Sequence, residues 1–278
     1  MQLSINYATR YRYSQPVARI VQLLRLTPLS FPGQNVLDWR IDVDRDARLR
    51  EARDGYGNIM HMLYIDQAVD ELKITATGRV MTEDCAGVVR NLPADLPPLV
   101  FLRETPLTAS SQSLREFASS LDRDGSSVLD KLHALTGQIH ARMTFDTTST
   151  EAHTIGADAF DASQGVCQDY THIFIAVSRL LGIPARYVSG HLFRRDLSQV
   201  QEAAHAWAEA WIEDLGWVGF DPTNGISTDD AYVRVACGLD YQDAAPIAGA
   251  RSGGGSESLS VEVQVSEARQ QAQSQSQS

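Results

Sequence analysis

Residues 163–184 read Ser-Gln-Gly-Val-Cys-Gln-Asp-Tyr-Thr-His-Ile-Phe-Ile-Ala-Val-Ser-Arg-Leu-Leu-Gly-Ile-Pro. Within them Tyr170, Ile173, Phe174, Val177, Leu180 and Leu181 recur every three or four positions, the spacing of a broad apolar helix face. Gly182 suits the left-handed position just past a helix, and Pro184 stops it, so the pattern predicts a helix over 167–181. At ~1.5 Å per residue such a helix runs ~22 Å, enough to cross a domain core. Cys167 then stands at its N-terminus, behind Gly165. Unpaired backbone N–H groups and the helix dipole favour negative charge at that end, and the thiolate is the reactive form of cysteine. Gly165 lets a substrate backbone come close. A cysteine taken alone is more often a small buried hydrophobe, so a second element has to support the functional reading.

That element is 205–224. His205, Trp207, Glu209 and Trp211 alternate with Ala206, Ala208, Ala210 and Ile212, which is strand periodicity. Glu213-Asp214-Leu215-Gly216 turns the chain, Trp217 to Phe220 returns, and Pro222 ends the ladder. A hairpin brings together its two ends, which carry His205 and Asp221. A cysteine nucleophile needs a base to take its proton and a third group to orient the base; Cys167, His205 and Asp221 supply those types. The register is the weak point. A tight turn at Asp214-Leu215 pairs Glu213 with Gly216 and sets Asp221 opposite Ala208. That is ~10 Å along the strand from His205 and on the other face, so a direct bond requires a bulge or another register.

Four runs, in order, carry a resemblance: Gly165-Val166-Cys167-Gln168-Asp169, Gly182-Ile183-Pro184-Ala185-Arg186, His205-Ala206-Trp207-Ala208-Glu209 and Phe220-Asp221-Pro222-Thr223-Asn224. Together they resemble the transglutaminase-like superfamily, and within it the bacterial proteins regarded as cysteine proteases. The likeness is strong over 160–245, and the first strands look like the β domain that precedes the catalytic domain in that group. The resemblance implies an α+β protein: an N-terminal β-sandwich-like domain, then a papain-like, transglutaminase-like core with the nucleophile on a helix packed on an antiparallel sheet. It implies Cys167 as nucleophile, His205 as base and acid, and Asp221 as orienter; no cofactor is expected, and the spacing of Cys167, Asp169 and His172 does not suit a metal site. The expected reaction is acyl transfer at a peptide or amide substrate through a thioester, foremost hydrolytic. An amine-accepting transglutaminase is the alternative, and a catalytically silent binding or scaffold protein is a third reading.

Other residues are candidates by position. The Cys167 backbone N–H is the first donor for an oxyanion, and Gln164, three residues upstream, is a second. Trp207 and His191 are candidates for substrate contact, His191 from a neighbouring strand. His172 is five residues from Cys167, ~140° around the helix, and points elsewhere. Asp169 is a candidate cap for the helix start, and Arg186 a candidate partner for a buried carboxylate. Gly238-Leu239-Asp240-Tyr241-Gln242-Asp243 resembles a stretch that follows the catalytic hairpin in the bacterial group, with no role attached.

The remaining sequence sets bounds. The 278 residues carry a formal charge of −11, which gives no general attraction for nucleic-acid phosphates. No apolar run reaches the length of a membrane span, and the first residues alternate like a strand instead of forming a secretory signal. Cys85, Cys167 and Cys237 are an odd number at wide spacings, which is neither a disulfide framework nor a zinc pattern, so a cytoplasmic location is expected. Short β segments at 3–13, 21–26, 36–43, 59–65 and 72–81 predict an N-terminal β domain over 1–90. Prolines 93, 97, 98 and 106 mark an extended connector over 91–108. A catalytic domain is expected over 109–267, with a helix capped by Ser127, a long loop over 145–164 with one helical turn near 157–162, and a late strand over 259–265. The Gln/Ser tail, 268–278, is expected to be disordered.

Overall fold

A computed structural model describes residues 1–92, 96–122, 125–149, 153–195, 200–201 and 203–267. The Gln/Ser tail and Pro93 of the connector lie outside the described residues.

Alternating apolar and polar residues build the first unit. Its strands are β1 (Gln2–Thr27), β2 (Gln34–Val43), β3 (Arg48–Arg53), β4 (Ile59–Ile65) and β5 (Val69–Thr82). In place of two short segments, β1 is one strand of 26 residues. Its buried side chains fall on odd positions from Leu3 to Tyr13 and then, beyond the irregularity at Pro16, on Ile20 and Leu24. Pro16 donates no ladder hydrogen bond, and the pairing shifts register on either side of it. The two halves of β1 therefore serve different neighbours: the first pairs with β5, the second with β4.

The second unit follows β6 (Val88–Val89). It contains α1 (Gln112–Leu121), α2 (Val128–Arg142), β7 (Thr144–Phe145), α3 (Gly156–Ala162), β8 (Gln164–Gly165) and α4 (Cys167–Leu180). Next come β9 (Ala185–Leu192), β10 (Val200–Gln201), which joins the N-terminal sheet, β11 (His205–Ile212), β12 (Gly216–Asp221), β13 (Ile226–Ser227), β14 (Tyr232–Gly238) and α5 (Tyr241–Ala244). Strands β13, β12, β11, β9 and β14 lie side by side in an antiparallel sheet. Helix α4 packs on one face of that sheet, its Ile173, Phe174 and Val177 against Ala208, Ala210 and Phe220. The small alanines of β11 leave room for the helix. Ser127 caps α2 through the Asp130 N–H at 3.1 Å, and Gly182 takes φ +74° after α4, as the sequence indicates. No helix among the described residues is long and apolar enough to cross a membrane.

Two boundaries differ from the expected ones. The chain ends with β15 (Ile247–Gly253) and β16 (Glu257–Glu267), and both pair with β1, β15 along its second half and β16 along its first. Residues 247–267 therefore complete the N-terminal sheet instead of belonging to the catalytic domain expected over 109–267. Conversely, β6 pairs with β12 and so joins the second sheet. The connector is also less extended than its prolines imply. Residues Pro98–Leu102 and Pro106–Thr108 form short helical turns, and the Phe101 ring is buried edge-on against Trp217 at 5.1 Å. Arg179 of α4 holds the connector by donating to Phe101 O at 2.9 Å and Thr108 Oγ1 at 2.7 Å.

Candidate active site

Cys167 is the first residue of α4. The first helical bonds are made by the N–H groups of Asp169 and Tyr170 to Val166 O, at 2.9 and 3.2 Å. The Cys167 N–H thus lies ahead of them, where helix N–H groups point outward toward negative charge. Asp169 caps this end: its Oδ2 accepts from Val166 N at 2.8 Å. This bond explains Gly165. A Cβ there would meet Asp169 Oδ2 at 2.6 Å, so the glycine makes room for the cap.

His205 opens β11 and Asp221 closes β12, and the two are bonded: His205 Nε2 lies 2.6 Å from Asp221 Oδ2. The register makes this possible. Ile212 pairs with Gly216, leaving a three-residue turn over 213–215 in which Asp214 takes φ +72°. Ala208 therefore faces Phe220, one residue away from the expected pairing, and Asp221 moves to the face that carries Trp207 and His205. No bulge is needed.

The imidazole also stands beside Cys167, whose side chain acts on its protonation together with Asp221; with Nε2 taken by the carboxylate, Nδ1 is the ring nitrogen left to face the sulfur. Burial pulls the His205 pKa down, but the charge and hydrogen bond of Asp221, together with Cys167, outweigh it and raise the pKa to about 10. His205 is therefore a cation at neutral pH. Asp221 is fully buried; burial pushes its pKa up, but His205 and the hydrogen-bond donors around it bring it below the usual carboxylate range. Those donors are the Thr223 N–H at 2.9 Å and the Asn224 N–H at 3.1 Å on Oδ1, with Asn224 Nδ2 at 2.6 Å and the Tyr232 hydroxyl at 2.8 Å on Oδ2.

The remaining candidates are placed differently. Gln164 is exposed on β8, its backbone paired with Thr144 of β7. His191 does not reach a cleft. It is buried between the two sheets, its ring 6.0 Å from Tyr7 and 6.3 Å from Trp39, and burial lowers its pKa to about 4. The alternation of β9 turns it toward the N-terminal unit, which sequence periodicity alone does not locate. Trp207 is 2% exposed. It backs His205, ring to ring at 6.3 Å, and has no surface to offer a substrate. Gly190 is what admits it, since a Cβ there would lie 2.6 Å from the indole. His172 is buried on α4, accepts from the Tyr241 N–H at 3.2 Å, and has its pKa lowered to about 3 by burial and by Arg179.

Several residues that support the site were not singled out. Glu209 is buried between two guanidiniums, with Arg186 Nε at 2.6 Å and Arg234 Nε at 2.9 Å; only the Arg186 half of this pairing is foreseeable. Asn224 has a sequence signal, because an Asp two or three residues ahead of free N–H groups forms an Asx turn. Tyr232 has none. The Gly238–Asp243 run acquires a structural role. Asp240 caps α5, and Asp243 accepts from the Leu239 N–H at 3.1 Å and from the Tyr56 hydroxyl of the N-terminal unit at 2.6 Å. Tyr241 and Tyr187 stand near Cys167; burial first, then the charge of Cys167, holds both phenols protonated.

Known proteins resemble this chain in sequence and in fold. Residues 3–81 match the family described as the bacterial transglutaminase-like N-terminal region, and residues 115–222 match the transglutaminase-like superfamily. An uncharacterized protein of Mycobacterium tuberculosis is 30% identical over 270 residues, covering 88% of this chain and 86% of that protein. One of Mycobacterium leprae is 28% identical, covering 92% and 95%. A protein-glutamine gamma-glutamyltransferase of Pseudomonas aeruginosa is 32% identical over 103 residues, which is 35% of this chain and 15% of that one. Among solved structures, a candidate cysteine protease of Cytophaga hutchinsonii has the same fold, with a TM-score of 0.79 at 24% identity, covering 97% of this chain and 91% of that one.

Proposed function

Given that the chain belongs to the transglutaminase-like superfamily, we propose that it is a thiol-dependent acyl-transfer enzyme that hydrolyses amide or peptide bonds through Cys167, His205 and Asp221. The observation that carries this reading is the bond of His205 Nε2 to the buried Asp221, with Cys167 beside the same ring. Such a chain of three groups keeps a proton on His205 beside the sulfur, and the thiolate is the form in which cysteine attacks a carbonyl.

The Cys167 thiolate adds to the carbonyl carbon, and the electron pair of the C=O bond moves to oxygen. The Cys167 N–H, ahead of the first helical bonds, is the donor placed to receive that oxyanion. The intermediate collapses, the C–N bond breaks, and the proton on His205 Nδ1 passes to the departing amine. The thioester then takes water, which loses its proton to His205, and the carboxylic acid leaves as the thiolate is restored. Asp221, held by its four other donors, keeps the ring in one orientation throughout.

A glutamine-containing peptide, offered with and without a labelled primary amine, tests this. The expected result is ammonia with free acid, with or without the amine, and no turnover by Cys167→Ala. Capture of the acyl group by the amine in preference to water would instead assign a transglutaminase. Peptide-bond cleavage is read on the same samples by mass. Equal, background turnover of amide and peptide bonds by the wild type and Cys167→Ala would overturn the enzymatic reading.

A further inference from the structure

The N-terminal β unit grips the part of β14 that carries Tyr232. Gln34 of β2 spans Arg234, accepting from its N–H at 2.8 Å and donating to its carbonyl at 2.8 Å. Thr82 of β5 donates to Asp230 O at 2.5 Å, and the N-terminal ammonium pairs with the Asp230 carboxylate at 3.7 Å. The two grips lie two residues to either side of Tyr232. From there the Tyr232 ring packs edge-on against Trp207 at 5.4 Å and tilted against His205 at 6.0 Å, and its hydroxyl reaches Asp221.

We propose that Tyr232 is a positioning residue through which the N-terminal β unit tunes the Cys167–His205 pair, its hydroxyl drawing charge from the Asp221 oxygen that also holds His205. The proposal rests on the reading of Cys167 and His205 as a working pair. The carboxylate does not need Tyr232 to stay in place, because Asn224 and two backbone N–H groups hold it. What the phenol adds is the positive end of an O–H dipole on Oδ2. Burial and the charge of Asp221 keep Tyr232 protonated, so it remains a donor. Without it, the full charge of Asp221 acts on His205, the imidazolium is favoured, and the thiolate forms at lower pH.

The groups that face this assembly come from several elements. Asp221 approaches His205 from β12, Cys167 from α4 and Tyr232 from β14. Asp229 adds negative charge beside Tyr232. Tyr187, Tyr241 and Asp169 lie around Cys167, and the charge of Asp169 also reaches Tyr187.

The test is the pH dependence of Cys167 alkylation by iodoacetamide in the full chain, with exposed Cys85 changed to Ser so that one accessible thiol remains. Tyr232→Phe keeps the ring and its packing. Its midpoint is expected to fall by about half to one pH unit. Gln34→Leu, which releases the grip but leaves Tyr232 in the chain, is expected to lower it in the same direction. The double variant should move no further than Tyr232→Phe alone, because both act through one hydroxyl. An unmoved or raised midpoint in Tyr232→Phe, or additive shifts in the double variant, would overturn the proposal. Failure of the underlying pair looks different: wild-type alkylation would then be unchanged by His205→Ala, whatever Tyr232 does.

Discussion

Glu209 illustrates what a single residue contributes. Its carboxylate is fully enclosed with Arg186 and Arg234, and the Arg186 guanidinium lies 3.9 Å from the Trp217 ring centroid. Three buried charges are stable only as a set. Glu209→Gln leaves two guanidiniums without their counter-charge, and a stability loss of about 3–5 kcal/mol is expected from denaturant unfolding. Arg186→Met with Arg234→Met in the same protein should recover much of it, since an apolar set has no charge to strand. At this scale the sequence is informative where a residue type has a narrow use. Cys167 behind a glycine, His205 at a strand start and Asp221 before a proline stand out. Tyr232 does not, because a tyrosine in a strand has too many ordinary uses, and its target is eleven residues away on another strand.

The hairpin shows how an element decides chemistry. A two-residue turn and a three-residue turn are both compatible with Glu213-Asp214-Leu215-Gly216, yet they put Asp221 on opposite faces. The observed turn holds Asp214 and Gly216 in the left-handed region, which Asp tolerates and Gly prefers. Deleting Asp214 shortens the turn by one residue. It should turn the Asp221 side chain away from His205 and leave Cys167 no more reactive than free cysteine, while far-UV circular dichroism still reports a folded sheet. Retained reactivity would mean that the register is set elsewhere, for instance by the pairing of β12 with β13. Helix α4 was readable because its period is unambiguous. The turn was not, because a one-residue difference in its length leaves the flanking alternation unchanged.

At the scale of the whole molecule, the two ends of the chain share a sheet. The alternation of 259–265 identifies a strand, but nothing local names its partner, which is β1, more than 240 residues earlier. Burial of two histidines, His172 inside the second unit and His191 between the units, gives a pH dependence whose direction can be worked out. His172 and His191 titrate near 3 and 4 in the fold against about 6.5 in an unfolded chain, so the unfolded state takes up protons first. Their contribution is complete above about pH 6.5 and is lost as pH falls toward 4, where protonation of Asp221 and Glu209 adds to the loss. His205 acts in the opposite sense. Its pKa of about 10 favours the fold below about 6.5, and that advantage is lost as pH rises toward 10. Thermal melts should therefore give a maximum near pH 6.5. His191→Phe should flatten the acid side and His205→Ala the alkaline side; a curve unchanged by either would remove these histidines as its cause.

Alkylation of Cys167 at pH 6, in protein carrying Cys85→Ser, tests the shared proton between sulfur and imidazole most directly. We expect a rate at least about ten times that of free cysteine, falling to the free rate or below in His205→Ala. A thiol that is accessible, no faster than free cysteine and indifferent to His205→Ala would contradict the pairing and, with it, the enzymatic assignment.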